Sequence, residues 1–348
     1  MTTPTTKNTK WLKISLIVGA VIGLICCIGI AALLFFANTM NNITQDNDTW
    51  VRSLAWSPDG SKIAVGSSNH TVTIWDVQSG RLLITISSHT SSVRDLAWSP
   101  DGKMLASGAG DGVVFIWNPQ TGNMIKQLTT TEQDALGFLS WSPDSYWLAF
   151  TGHSGDILIW DVDNNQEILF FDSSGETNLK NLITGISWSP DGTRLAISTA
   201  DGSINIRDIQ TGESLWSTIA HSGWANDVEW SLDSDLLVSG GDDGVLKVWN
   251  AETGDLFNET KGSDSIFSVD WSFTSQPQIA WMSARGQVAI TDFQQPDIFL
   301  PAGNDKVWVV AWSRDGQFLA AGTGVNTVYI WDTTTNQQIQ LLTVPNIP

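Results

Sequence analysis

VRDLAWSPDGKMLASGAGDGVVFIW, Val93 to Trp117 with Asn118 following, is the cleanest copy of a unit that the chain writes seven times. A Trp-Ser dipeptide recurs at Trp56, Trp98, Trp141, Trp188, Trp230, Trp271 and Trp312, in steps of 42, 43, 47, 42, 41 and 41 residues. A second landmark follows 19 residues later as Trp75-Asp76, Trp117-Asn118, Trp160-Asp161, Arg207-Asp208, Trp249-Asn250 and Trp331-Asp332; only Thr291-Asp292 sits at 20. Each unit holds four strand-like runs. A lone four-stranded sheet cannot bury its faces, so units of this period must stack on one another.

Blade two shows how each unit reads. Val93 to Trp98 is a first strand, and Ser99-Pro100-Asp101-Gly102 a turn in which Pro presets φ and Gly takes the left-handed position. A second strand runs through Leu105 to Ser107, Gly110-Asp111-Gly112 turns into a third at Val113 to Trp117, and Met124 to Leu128 is the outer strand. In period, Trp-Asp ending and Ser-Pro-Asp-Gly turn, residues 51 to 344 closely resemble the WD-repeat family. The resemblance implies an all-β fold, a seven-bladed β-propeller of four-stranded blades, and a rigid binding platform. It does not name the ligand, because function lives in sites grafted onto folds.

Twelve tryptophans of the first and third strands are expected in the core, each burying some 150 to 250 Å². His89, Ser107, Asp111 and Trp117 stand where the family places a hydrogen-bonded tetrad, and His221, Ser239, Asp243 and Trp249 repeat it with identical spacings of 18, 4 and 6. Ser, His and Asp together also suit a hydrolase, but two distant copies favour a buried polar brace. Blade six departs most: Phe273-Thr274-Ser275-Gln276-Pro277 replaces the usual turn and Thr291 the third-strand Trp, so poorer packing is expected. Blades three and four are joined by extra chain at Asp172 to Lys180, on the face where partners of the family usually bind. The last blade owns its outer strand, Gln338 to Val344, so no strand exchange is expected.

Ahead of the repeats lie four segments of different character. Residues 1–13 carry Lys7, Lys10 and Lys13. Ile14 to Ala37 is a run of 24 uncharged residues, long enough at 1.5 Å per residue for a tilted membrane helix. Residues 38–49 read as a polar linker before the propeller of residues 50–348. The run lacks a small-residue cleavage site, which favours a retained anchor, and the positive-inside rule puts the amino terminus in the cytoplasm and the propeller outside. Cys26 and Cys27 both fall in the helix, which leaves the propeller no disulfide, thiol nucleophile or cysteine zinc site. All 36 acidic residues follow the helix against 14 of the 17 bases. Such a domain repels nucleic acid and anionic lipid. No Asp-x-Asp-x-Asp-Gly calcium loop appears, and no cofactor or metal site is expected.

Inner strands start at one face, so the residue four places before each first-strand Trp approaches the channel mouth there: Arg52, Arg94, Gly137, Thr184, Asn226, Phe267 and Trp308. Blades six, seven, one and two are neighbours in a ring, which makes Phe267, Trp308, Arg52 and Arg94 one arc, with Trp50 beside it. Trp and Arg are enriched at binding hot spots. Against this, the aromatics could simply pack the mouth while both arginines pair with acids such as Asp95. Trp224, Asn226 and Asp227 form a smaller candidate on blade five. The first expectation is therefore a membrane-anchored scaffold or sensor, not an enzyme, that binds a protein or peptide, and the short linker entering at this face favours a membrane-associated partner. A propeller enzyme or lectin-like small-ligand binder is the alternative, and an envelope assembly component a third.

Overall fold

The computed structural model describes residues 49–129, 137–152, 155–171, 183–274, 277–303 and 305–345. The tail and membrane helix expected at 1–37 and the linker expected at 38–49, save Thr49, lie outside the described residues, as do the extra chain at 172–180 between blades three and four and Ser275-Gln276 of blade six. Among the described residues no helix is long and apolar enough to cross a membrane.

From Val51 onward the described chain forms seven antiparallel four-stranded sheets, each built of four consecutive strands. In the first blade these are β1 (Val51–Trp56), β2 (Lys62–Ser67), β3 (Val72–Asp76) and β4 (Arg81–Ile86). The inner strands of the other six are β5 (Val93–Trp98), β9 (Leu139–Trp141), β13 (Ile183–Trp188), β17 (Ala225–Trp230), β21 (Ile266–Trp271) and β25 (Val307–Trp312). The last sheet is completed by β26 (Phe318–Thr323), β27 (Thr327–Asp332) and β28 (Gln337–Thr343), and no other strand joins it among the described residues.

Apolar side chains of each blade interleave with the next in a series of interfacial cores, one of which joins Val51, Leu54 and Trp56 to Ala320, Val328 and Ile330 across the seam of the ring. All seven first-strand tryptophans are buried, as are Trp75, Trp117, Trp249 and Trp331; Trp160 is only partly so. The first-strand indoles also tie blades together. Trp56 donates to the carbonyl of Ala311 at 2.9 Å, Trp98 to Ala55 at 3.0 Å, Trp141 to Ala97 at 2.9 Å and Trp230 to Ser187 at 3.0 Å. Where Ser140 or Asp270 stands in place of those alanines, its side chain accepts the backbone N–H of Trp188 or Trp312 instead. The indole N–H groups of Trp188 and Trp312 are then left without an acceptor among the described residues.

The turns follow from side-chain hydrogen bonding. Asp59 Oδ1 accepts the Ser57 hydroxyl at 2.6 Å and the Ser61 N–H at 3.0 Å, and Gly60 sits at φ 70°. The Ser57 hydroxyl, with the Ser61 bonds, draws the Asp59 carboxyl down to about 2. In blades three and five the left-handed place is held by Ser145 (φ 68°) and Ser234 (φ 63°). These offset the strain with bonds to the preceding blade, from Asp101 N–H at 3.0 Å and Asp191 N–H at 3.1 Å.

Blade six compensates for its missing Trp: Trp281, on its second strand, is 1% exposed, and Phe293 packs against the same core from a positive φ of 58°. The blade's third and fourth strands are nonetheless short, Val288–Thr291 and Ile298–Leu300, and the indole N–H groups of Trp271 and Trp281 have no acceptor among the described residues.

Candidate functional site

Both tetrads are assembled. Ser107 Oγ lies 2.7 Å from His89 Nε2 and accepts the Trp117 indole N–H at 2.8 Å, while His89 Nδ1 meets Asp111 at 3.1 Å. In blade five the corresponding distances are 2.8 Å, 2.9 Å and 2.9 Å. Each Nδ1 faces a carboxylate, which only accepts, so the ring proton sits there, and in a neutral ring Nε2 then accepts the serine hydroxyl. Burial pushes the pKa of His89 and His221 down against the opposing pull of Asp111 and Asp243, consistent with neutral rings. Ser107 and Ser239 are fully buried at 0% exposure, so no substrate reaches either hydroxyl. They are braces, holding an outer loop to the third strand through Asp111, which also accepts the N–H of Thr90, and Asp243, which accepts that of Ser222.

At the other candidate, Arg52, Arg94, Gly137, Thr184, Asn226, Phe267 and Trp308 line one cavity of about 650 Å³ at the mouth of the channel. A local feature aims them there. In every inner strand except the short β9, the ladder skips this residue: Val51 and Ser53 pair with successive partners while Arg52 pairs with none, and likewise at Arg94, Thr184, Asn226, Phe267 and Trp308. Such a bulge bends the strand and re-aims the side chain.

On one side the aromatic residues form a continuous stack. Phe267 and Trp308 lie 5.8 Å apart at 7°, Trp308 and Trp50 5.5 Å apart at 12°, and the Arg52 guanidinium caps Trp50 at 5.1 Å. Trp50 is fixed by its N–H donating to Ser68 Oγ at 2.7 Å and its carbonyl accepting the Ser68 N–H at 2.9 Å. Trp308 is fixed by Gly324, where an added Cβ would come within 2.9 Å of the indole nitrogen. Opposite, Asn226 donates to Asp242 at 3.0 Å and to the Ile266 carbonyl at 2.9 Å, leaving Trp224 exposed at 46% on the rim. Thr184 donates its hydroxyl to the Ala225 carbonyl.

Asp227 does not belong to this mouth, contrary to its grouping with Trp224 and Asn226. It points into the layer below, accepting the Val228 N–H at 3.0 Å and, from the next blade, the Val269 N–H at 3.0 Å. Asp95 does the same between blades two and three. Its Oδ1 takes the Ser53 hydroxyl at 2.9 Å and the Leu96 N–H at 2.8 Å, and its Oδ2 the Leu139 N–H at 2.8 Å. Asp95 therefore does not neutralise Arg52 or Arg94, and among the described residues neither arginine has a carboxylate within ion-pair distance. Burial first, then the charge of Arg94, lowers the Arg52 pKa.

Counting mouth positions does not reach Glu229 and Asp270, which with Asp95 and Asp227 form this second layer; the four lie three or one places before the first-strand Trp and all line the channel. Burial pushes Asp95 up to about 6 and Asp227 and Asp270 to about 7, and burial with the nearby Asp270 charge raises Glu229 well above the usual range. Asp95, Asp227 and Asp270 each accept a backbone N–H of the following blade, and Glu229 the Ser187 side chain of the preceding one, which marks them as staples of the ring. Among the described residues no group of three or more His, Cys, Asp or Glu side chains could hold a metal ion.

The family model for the first beta-propeller of IFT122 matches residues 50–238, and that for the WD domain, G-beta repeat, matches residues 296–332. The chain is similar to Cross-pathway control WD-repeat protein 2 of Flammulina velutipes, 30% identical over 127 residues that make up 33% of this chain and 39% of the relative. It is similar also to the U5 small nuclear ribonucleoprotein 40 kDa protein of Pongo abelii, 49% identical over 39 residues, 11% of each chain. The matched stretches thus span well under two thirds of either relative.

Proposed function

The chain belongs to the WD-repeat β-propeller family, and from that premise we propose that it is a binding scaffold or sensor which takes a segment of a partner protein into the channel mouth. The observation that carries this is the coincidence, in one cavity of about 650 Å³, of a stacked aromatic wall and two arginines without carboxylate partners. Cavities of this size lined by aromatics with a few convergent polar groups are the usual form of a binding site, and Trp and Arg supply most hot-spot energy at interfaces. The burial of both Ser-His-Asp sets favours binding over catalysis.

The 24-residue uncharged run from Ile14 to Ala37 supports anchoring in a membrane, and the lysines before it support an extracytoplasmic propeller. Introducing cysteines into the propeller and labelling intact cells with an impermeant thiol reagent tests that side; protection until lysis would place the propeller in the cytoplasm. Binding is tested with a photoreactive residue at Trp308 or Arg94 in the anchored chain. One specific adduct from the mouth positions, absent from rim positions such as Ile219, is expected. Adducts from the rim alone would move the site elsewhere.

A further inference from the structure

We propose that the partner segment is recognised by a carboxylate, an Asp or Glu side chain that it places between Arg52 and Arg94. This rests on the mouth being the binding site and names the chemistry that the site selects. Of the other mouth side chains, Thr184 is engaged by the Ala225 carbonyl and Asn226 by Asp242 and the Ile266 carbonyl, while Trp50, Trp308 and Phe267 stack on one another and the buried Trp308 indole N–H has no acceptor among the described residues. Arg94 makes no hydrogen bond or ion pair among the described residues, and Arg52 only the face-on contact with Trp50.

Two neighbouring guanidiniums without counter-charge oppose each other, and Arg52 loses proton affinity through burial first and then through that repulsion. The pair stands in a chain of net charge −19, in which Lys103, Arg194 and Arg285 hold carboxylates and these two arginines do not. Asp95, the acid adjacent to Arg94 in sequence, is withheld from it by three hydrogen bonds to Ser53, Leu96 and Leu139. The bulges at Arg52 and Arg94 turn both side chains to the mouth rather than along the sheet. An incoming carboxylate relieves the repulsion and is matched by the planar donor forks of arginine. The long-range field of the acidic domain repels a highly acidic partner, so a single acid beside apolar side chains, which would lie on the Trp308 wall, fits better than an acidic run.

The test is selection of a displayed library of short random peptides on the purified full-length chain, followed by calorimetric titration of the enriched peptides. Enriched sequences are expected to share one Asp or Glu. Changing it to Asn or Gln should weaken binding to the wild-type chain by about tenfold or more, the range for a hydrogen bond to a charged group. With Arg52→Gln/Arg94→Gln the same change should cost less than about twofold. Arg94→Gln alone, which removes no hydrogen bond or ion pair among the described residues, should give an intermediate loss and guards against misfolding of the double variant.

Enrichment that depends on Trp308 but shows no acid preference would sink the carboxylate while leaving the mouth as the binding site. Enrichment indifferent to Trp308→Ala and to both arginines, or none, would overturn both readings. Inorganic phosphate, or vesicles containing an anionic phospholipid, binding more tightly than any peptide and in an Arg94-dependent way would replace the carboxylate by a phosphoryl group.

Discussion

Ser107→Ala and Ser239→Ala remove one oxygen each from a fully buried brace. The methyl side chain that remains fits the same space, so packing changes little and the cost is polar. Each serine oxygen accepts an indole N–H, at 2.8 Å in blade two and 2.9 Å in blade five, and its hydroxyl faces His Nε2 at 2.7 and 2.8 Å. The substitution therefore orphans one donor and one acceptor at once. At about 1–3 kcal/mol for each unsatisfied buried group, the sum is about 2–6 kcal/mol. The indoles of Trp160 and Trp331 already lack an acceptor among the described residues, which argues that the ring tolerates such orphans near the lower end. We expect a loss of about 2–3 kcal/mol per site, which for a domain of this size lowers the melting temperature by about 3–5 °C. Scanning calorimetry measures the global effect, and hydrogen exchange should show the loss of protection concentrated in the altered blade. Trp331→Phe, which deletes an indole N–H that has no acceptor, should cost less than Trp117→Phe, which also strips Ser107 of its donor. If both serine variants melt within about 1 °C of the parent, the tetrads are not braces and the reasoning fails.

Gly322→Ala should damage the seam of the ring, because the added carbon would stand 2.3 Å from Val51 Cγ1. A loss of about 1–3 kcal/mol is expected for such overpacking, partly restored by Val51→Ala, and chemical denaturation of the single and double variants measures it. Gly324→Ala should displace Trp308 and break the stack to Trp50, with little effect on stability and a clear loss of peptide binding; unchanged binding would detach the stack from function. For pH, Asp227 and Asp270 take up protons at about 7 in the fold and near 4 in the unfolded chain. The native state thus holds more protons between those values, and stability from these groups is lost as pH rises through about 7. His89 and His221, lowered by burial, act oppositely, losing stability as pH falls below about 6.5. The two are separated by Asp227→Asn/Asp270→Asn, whose melting temperature should gain on the parent from about pH 5 to about pH 8; a constant gap would show that the channel acids are not protonated near neutrality.

The sequence makes the architecture legible because every blade repeats the same Trp-Ser and Trp-Asp landmarks, and the tetrads because their spacing recurs intact. The positions at the mouth follow from counting along inner strands. Contacts made across blades are much less visible. Asp95 looks like an ion-pair partner for Arg94 until Leu139, 44 residues away, claims one of its oxygens. Ser145 and Ser234 give no sign of left-handed backbone, since the bonds that offset it come from Asp101 and Asp191 of the preceding blade. The bulge at each mouth residue leaves no compositional mark, being occupied by Arg, Thr, Asn, Phe or Trp with equal ease. Trp281 and Phe293 rescue blade six from places outside the repeat's own pattern.

With four consecutive strands in every sheet, the junction of first and last blades is chemically one interface among seven: an indole on a carbonyl, an interleaved core, and side-chain bonds from Asn69 to the Pro345 carbonyl and from Gln340 to the Gln78 carbonyl, both at 3.2 Å. Nothing among the described residues marks it as a special fastener. Where the polypeptide opens is therefore interchangeable with other loops: joining Pro345 to Thr49 and cutting between any two blades yields a circular permutant with every sheet whole. By the same logic the ring can lengthen, shorten or exchange a complete blade as a unit, so its circumference is set by curvature and not by connectivity.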